Sequence, residues 1–282
     1  MYPFLISIPL ALVVIAAYAI CIEPFWFRTR RETVRGRRAK APIRILHLSD
    51  IHFGHRVQWP KERALRKWSD LDFDLVVVTG DMIDEDWGID SFIEAIRPFA
   101  AKAPVVAVPG NHDYLHYGPW AAYFNHVADK RLHDYPRLFE RLSRAGVCLL
   151  RNSRVRFDAA GNSIEILGYD DPFTGRADAR LDWSGKPTDL RIVLTHTPDG
   201  ALFNEGYDIA FSGHTHGGQI SFFGYSPLTK SRFRGWHGAG IVPVNGSWMN
   251  ISRGIGTSSW TPIRFMCRPE AVLITIEPVS YN

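Results

Sequence analysis

Imidazole, carboxylate and carboxamide side chains recur in this sequence at five places, each directly behind a short apolar run. Asp50-Ile51-His52 follows residues 43–48, Gly80-Asp81 follows 75–79, and Gly110-Asn111-His112-Asp113 follows 105–108. His196 stands behind residues 192–195, and Gly213-His214-Thr215-His216 behind 209–212. A lone histidine in such a place is most simply a satisfied polar residue at a strand end. Five clusters of metal-ligating types at five candidate strand ends need another explanation, because strand ends of an α/β sheet are where ligand sites assemble. Imidazole and carboxylate suit zinc, manganese or iron, and the lack of thiolate in the clusters argues against a structural zinc site. Holding two ions close together requires one carboxylate to bridge them. A metal pair of this kind clamps a phosphoryl group during in-line attack and lowers the pKa of water toward neutrality. The chemistry expected is hydrolysis of a phosphoester or phosphoanhydride.

These side chains act together only if the elements carrying them end at one edge. Ile43–Leu48, Leu75–Thr79 and Val105–Val108 read as buried strands, with helix-like composition over residues 61–71 and 90–101 between them. That is a β-α-β-α-β start, the opening of an α/β layer fold. A helix over 135–145 leads into a strand at 147–150. Further strands are expected at 155–157, 164–167, 192–195, 209–212, 241–244, 248–252 and 271–276. Two stacked sheets flanked by helices are the simplest arrangement.

The net charge of +4 is unevenly placed. Arg28, Arg30, Arg31, Arg35, Arg37, Arg38 and Lys40 fall in one run with a single acid, Glu32, and the remainder is slightly acidic. A basic groove for nucleic acid is therefore not expected. Cys21, Cys148 and Cys267 are far apart and odd in number, which suggests buried or membrane-embedded thiols and not a disulfide framework. Residues 1–22 carry no charged side chain, and 2–22 are about as long as a bilayer-spanning helix. Phe25-Trp26-Phe27 would form an interfacial belt ahead of the basic run. A cleaved signal peptide would want Lys or Arg before the apolar segment; its one supporting feature is Ala17-Tyr18-Ala19. The expectation is a membrane anchor over residues 1–27, a basic linker over 28–42 and a hydrolase domain over 43–282. With basic residues inside, the protein would be single-pass in the inner (cytoplasmic) membrane with its catalytic domain cytoplasmic.

The order D-x-H, G-D, G-N-H-D, H, G-H-x-H resembles the calcineurin-like metallophosphoesterase superfamily, over about residues 43–276. The resemblance implies an α/β fold, a two-sheet α-β-β-α sandwich. It implies that Asp50, His52 and His216 hold one metal, that Asn111, His196 and His214 hold the other, and that Asp81 bridges. Two divalent ions per chain follow, manganese first, with iron or zinc as alternatives. His112 matches the superfamily histidine that protonates the leaving group or steadies the phosphate oxygens, and Asp113 would orient it.

Within the superfamily, phosphoprotein phosphatases carry an Arg-Gly pair behind the second motif. Here Gly80-Asp81-Met82-Ile83-Asp84 continues with Glu85 and Asp86. The segments Gly213-His214-Thr215-His216-Gly217-Gly218-Gln219-Ile220 and Ser252-Arg253-Gly254-Ile255-Gly256 instead resemble a bacterial membrane-associated phosphodiesterase branch. That branch is similar to one group of UDP-2,3-diacylglucosamine pyrophosphatases of lipid A assembly. A twin-arginine export signal found in many relatives is replaced here by Arg30-Arg31 behind the apolar segment. A soluble group with the same activity usually has arginine where His112 stands. The substrate expected is a phosphorylated compound, plausibly a nucleotide-linked lipid at the membrane. Arg253 is a candidate phosphate contact. Tyr114, Tyr117, Trp120, Tyr123 and Phe124, and later Phe222, Phe223 and Tyr225, are candidates to cradle an acyl chain. The alternatives are a general phosphodiesterase or nuclease on soluble substrates, and a non-catalytic scaffold, which would be expected to have lost metal ligands.

Overall fold

Uninterrupted Val and Ile runs are stable as strands only where both faces are covered, and this chain stacks two sheets to cover them. The structure, a computed structural model, describes residues 3–54, 57–118, 128–257 and 261–279. The helices are α1 (Pro3–Cys21), α2 (Trp59–Ser69), α3 (Gly88–Ala100), the single turn α4 (Asn111–Tyr114) and α5 (Tyr135–Arg144). The first strands are β1 (Arg28–Gly36), β2 (Ile43–Leu48), β3 (Leu75–Thr79), β4 (Val105–Val108), β5 (Leu115–Tyr117), β6 (Ala128–Leu132) and β7 (Val147–Leu149). The second half supplies β8 (Ser153–Ala159), β9 (Asn162–Gly168), β10 (Leu190–Leu194), β11 (Ile209–Ser212), β12 (Gly240–Val244), β13 (Ser247–Ile251) and β14 (Glu270–Pro278).

One sheet has the order β1-β14-β2-β3-β4-β7 and the other β12-β13-β11-β10-β9-β8, with β5-β6 a separate hairpin. Strands β2, β3, β4 and β7 run parallel, as do β9, β10, β11 and β13. Parallel neighbours end on the same side, so the polar segments behind them gather at one edge of each sheet. Alternation along β2 sorts the layers: Ile43 and Ile45 pack between the sheets against Ile166, Ile192 and Phe211, while Leu46 and Leu48 face the helices. Leu65 and Trp68 of α2, Phe92 and Ile96 of α3, and Leu138 and Leu142 of α5 close that outer face.

Three expectations need correction. First, no α-helix among the described residues covers the outer face of the second sheet. Tyr169, Val193 and Met249 there pack against Ala201 of the 3-10 turn Pro198–Phe203 and against loop residues Leu181 and Trp183. Pro172, Gly175, Gly185 and Pro187 punctuate that loop region and disfavour a regular helix. Second, the basic run is not a linker across residues 28–42. Its first nine residues form β1, parallel to β14 from Arg28↔Glu270 to Gly36↔Pro278. Arg28 and Arg30 pair with buried Glu270, Arg38 with Asp208 and Lys40 with Asp189. These cations are committed to the domain, so their excess no longer reports membrane orientation. Third, no helix among the described residues is long and apolar enough to cross a membrane. Helix α1 has 19 residues with Pro9 inside it, and its last turns are fastened to the domain. Arg264 N–H donates to Ala19 O (2.9 Å), Ala19 is buried, and the Tyr18 ring meets Phe265 edge-on.

Glu270 is the main fastener of β1. It is fully buried and accepts from Arg28 Nε (3.0 Å), Arg30 Nε (3.1 Å) and Arg253 Nη1 (3.3 Å). Removing it would take the shared acid from three partly exposed guanidiniums, a loss of charged hydrogen bonds that costs about 1.5–3 kcal/mol. Glu270→Ala is accordingly expected to lower the unfolding free energy by roughly that amount. A urea midpoint equal to that of the wild type would show that β1 does not depend on this pairing.

Candidate metal centre

The backbone turns sharply where the strands end. Asp50, His52, Asp81, His214 and His216 all take left-handed backbone, with φ of 49°, 52°, 49°, 65° and 49°. For a residue with a Cβ this conformation costs about 1–2 kcal/mol. Such strain persists where the surroundings over-determine it, and it concentrates at functional sites. Here cross-loop ladders do so. Asp50 N–H donates to Gly80 O (3.1 Å) and His52 N–H to Asp81 O (3.0 Å), so the loops behind β2 and β3 continue the sheet pairing. Gly256 N–H donates to Asp50 O (2.7 Å) and Gly213 N–H to His196 O (2.9 Å). Two glycines are required by close approach: a Cβ on Gly110 would strike Asp81 Oδ1, and one on Gly213 would strike Asp50 Oδ2.

The side chains thus turned converge around Asp81. His196 Nδ1 lies 2.7 Å from Thr79 O, an atom that only accepts, so Nδ1 carries a proton and Nε2 faces the site. Around that Nε2 stand Asp81 Oδ2 (3.3 Å), Asn111 Oδ1 (3.1 Å) and His214 Nδ1 (3.2 Å). On the other flank His52 Nε2 is 3.7 Å from Asp81 Oδ2 and 3.2 Å from His216 Nε2, which is 3.4 Å from Asp50 Oδ1. Asp50, His52, Asp81 and Asn111 are buried, as is His196. Lone-pair atoms this close in a dry setting repel unless a cation lies among them. Their separations suit neighbouring donors on one ion with bonds of about 2.0–2.2 Å. Two groups therefore form: Asp50, His52 and His216 on one side, and Asn111, His196 and His214 on the other, with Asp81 common to both.

The electrostatics agree with that demand for positive charge. Burial disfavours protonation of His196, yet the Asp81 carboxylate overrides it and raises the imidazole well above its ordinary range. Burial and then His196 push His214 down to about 3, and burial with His52 holds His216 well below its usual range. Burial works against charge on Asp81 as well, but His196 keeps its carboxyl well below the usual value. The centre thus combines an ionised Asp81 carboxylate with His214 and His216 held neutral, forms that bind metal, while the raised His196 marks the negative potential a cation would meet there.

His112, on α4, donates its backbone N–H to Asp81 Oδ1 (2.8 Å) and places Nδ1 2.9 Å from Asp84 Oδ1. Asp113 does not orient it, contrary to the expectation. Consecutive residues on a helical turn point in different directions. Asp113 instead accepts N–H bonds from Met82 (2.7 Å), Ile83 (3.3 Å) and Gly110 (2.8 Å), tying the second motif to the third. Asp84 escaped notice in the sequence, where its only signal is its position three residues behind Asp81. Arg253 is likewise not brought to the cluster: its guanidinium pairs with Glu270. Among the aromatic candidates, Tyr117 stacks on His112 with ring centroids 4.3 Å apart, and Tyr114 is buried with its hydroxyl donating to Asp170. Trp120, Tyr123 and Phe124 lie outside the described residues.

Over the cluster opens a cavity of about 270 Å³ lined by Asp81, Asn111, His112, Tyr117, His214 and His216, with Ile220, Leu228 and Ile263 at its apolar side. A larger one of about 610 Å³ adjoins it, sharing Phe173 and Lys230 and bordered by Arg232 and Arg234. None of the clustered side chains lines that second cavity, so the chemistry belongs to the first. Asp84→Asn is expected to lower turnover of an unactivated phosphodiester about 10–100-fold, as removal of a supporting carboxylate does elsewhere. Asp113→Asn should spare turnover and lower the thermal midpoint, since one amide oxygen cannot serve three N–H groups. Equal kinetic losses in the two variants would contradict this division.

Residues 43–218 match the family model for calcineurin-like phosphoesterases. The chain is 28% identical to phosphodiesterase YaeI of Escherichia coli, over 90% of each protein. It is 30% identical to the uncharacterized metallophosphoesterase YkoQ of Bacillus subtilis, over 64% of each. With UDP-2,3-diacylglucosamine pyrophosphatase LpxG of Chlamydia trachomatis it shares 25% identity, over 82% of this chain and 83% of that one. With the motif order, the paired-sheet fold and the cluster around Asp81 already in place, the chain belongs to the calcineurin-like phosphoesterase family of metal-dependent phosphoester hydrolases.

Proposed function

We propose that this protein is a dinuclear-metal phosphohydrolase acting on a phosphodiester or pyrophosphate bond. The observation that carries the reading is the shared position of Asp81 between two sets of imidazole and oxygen donors. Asp50, His52 and His216 would hold one divalent ion, Asn111, His196 and His214 the other, and Asp81 both. Manganese fits this oxygen- and imidazole-rich set, with iron or zinc as alternatives. Bound there, two such ions supply Lewis-acid charge and a water acidic enough to attack phosphorus near neutral pH. His112 lines the same cavity, with Nδ1 tied to Asp84 and Nε2 left for the substrate. Burial opposes its charged form, but Asp81 and Asp84 raise its pKa, so it is suited to donate a proton to the leaving oxygen. Tyr117 stacked on the ring limits its rotation.

The reading extends to the substrate: a nucleotide-linked lipid such as UDP-2,3-diacylglucosamine, met at a membrane surface. Ile220, Leu228 and Ile263 give the cavity an apolar side, and Phe222 and Phe223, which follow Ile220 closely in the chain, are exposed. The adjoining cavity offers Lys230, Arg232 and Arg234 for a second phosphate. Helix α1 exposes Leu10, Leu12, Val13 and Val14, a surface suited to contact lipid without crossing it. The LpxG relative bears the name of an enzyme for that substrate.

Two measurements test these claims separately. Asp81→Asn should reduce bound manganese from two ions per chain and abolish most turnover while the fold survives; full metal content with full turnover would refute the bridging role. Acyl burial contributes about 0.8 kcal/mol per methylene. Hydrolysis of UDP-sugars with two, one and no acyl chains in micelles should therefore fall steeply along that series. Indifference to acylation would leave a general phosphodiesterase.

A further inference from the structure

Between the two sheets, in a layer otherwise apolar, runs a continuous line of polar side chains. Arg30 Nη2 lies 2.5 Å from Asn250 Oδ1, and Asn250 Nδ2 lies 2.7 Å from His47 Nδ1. His47 Nε2 is 2.7 Å from Thr79 Oγ1, Thr79 Oγ1 is 2.7 Å from Ser49 Oγ, and Ser49 Oγ is 2.6 Å from Asp50 Oδ2. His47, Ser49, Thr79, Asn250 and Asp50 are all fully buried.

The line can have only one polarity. A guanidinium has no acceptor, so the Asn250 atom facing Arg30 must be oxygen, and the amide N–H₂ must face His47. His47 Nδ1 therefore accepts, which places the ring proton on Nε2, where it donates to Thr79. That leaves the Thr79 hydroxyl to donate to Ser49, and the Ser49 hydroxyl to donate to the Asp50 carboxylate. Thr79 O at 3.1 Å competes for the Ser49 proton but is longer and uncharged. The His214 backbone N–H reaches both oxygens (3.0 Å to Oδ1, 3.2 Å to Oδ2), and with Oδ2 held by Ser49 it is Oδ1 that faces His216 Nε2 (3.4 Å). The head of the line is itself fixed, because Arg30 Nε donates to buried Glu270 (3.1 Å).

We propose that Arg30, Asn250, His47, Thr79 and Ser49 are positioning residues for the metal centre, a donor chain that sets which oxygen of Asp50 is turned toward the ion. The inference rests on the dinuclear reading and adds that metal affinity is controlled from strand β1. Hydrogen-bond partners of metal ligands are typically worth 10–100-fold in metal affinity.

The closing experiment measures manganese dissociation constants by chelator competition, together with the thermal midpoint of the metal-free protein. Thr79→Val keeps the side-chain shape and breaks the line; the weaker-held manganese or its partner should bind about 10–100-fold less tightly. Thr79→Ser restores the hydroxyl and should restore affinity. Asn250→Asp is the second variant. An ionised carboxylate there only accepts, so His47 must donate from Nδ1; a ring that stays neutral then turns Nε2 into an acceptor and reverses the line, whereas an imidazolium would keep it. Arg30 meanwhile gains a charged partner. With the ring neutral, affinity should fall about tenfold or more while the metal-free midpoint is held or raised. A merely structural role would move the two readouts together, and simple attraction by an added negative charge would tighten binding. Unchanged or tighter manganese binding in Thr79→Val, or no rescue by Thr79→Ser, would overturn the proposal. Wild-type protein that binds no manganese would instead sink the dinuclear reading itself.

Discussion

Asp81 brings a buried negative charge to a place where two sets of lone-pair atoms already face each other, and most features of the fold can be traced to keeping it there. The parallel strands β2, β3, β10 and β11 end at one edge, so the carboxylate and its imidazole neighbours arrive from four directions. Close approach forbids side chains at Gly110 and Gly213. Left-handed backbone at Asp50, His52, Asp81, His214 and His216 turns polar groups inward at a cost of about 1–2 kcal/mol each. An arrangement this unfavourable in the absence of charge binds a cation by relieving its own repulsion. Affinity for metal is then the return on strain that folding has already overcome.

The supporting layer has a direction as well as a shape. Thr79 serves both halves of the centre: its carbonyl fixes the proton on His196 Nδ1, and its hydroxyl lies in the line that reaches Asp50. A polar line through a core is costly unless every member is satisfied, and this one ends in a donor-only group at one side and an acceptor-only group at the other. His47 is accordingly kept neutral, with burial lowering its pKa to about 3. A histidine in this position is neither a ligand nor an acid; its two nitrogens pass on a hydrogen-bond polarity.

What the sequence revealed and what it concealed follow one physical rule. Ile43–Leu48, Leu75–Thr79 and Val105–Val108 were legible as strands because burial on both faces demands unbroken apolar runs, and their ends agree with the structure. The clustered ligands were legible because several metal-binding types recur at strand ends. Strand β1 was not, because Arg28–Gly36 has the composition of a solvated linker, and its partners, strand β14 and the acid Glu270, lie far away in sequence. Asp84 was hidden for a related reason. It sits among Asp86 and Glu85, and only folding shows that it alone reaches both His52 (3.3 Å) and His112 (2.9 Å). Long-range partners leave little mark on local pattern, and neither Asn250 nor Thr79 carried any.

The same reasoning separates the catalytic edge from a strained turn outside it. The strain at Asp50 or His216 is compensated by ladders and close packing, whereas Phe223 is held in strained backbone at an exposed turn. It occupies left-handed backbone, φ 51°, in the tight turn where Phe222 and Tyr225 exchange backbone hydrogen bonds, and it is 85% exposed. A bulky aromatic there forgoes about 1–2 kcal/mol in backbone conformation and a further 1.5–3 kcal/mol that burial of its ring would provide. Glycine follows it in the chain and would hold such a turn more easily. The two backbone hydrogen bonds of the turn offset part of that cost, and the ring stays an exposed apolar group. Strain at the strand ends is thus tied to the clustered metal-ligating side chains, while strain at this turn is tied to none of them.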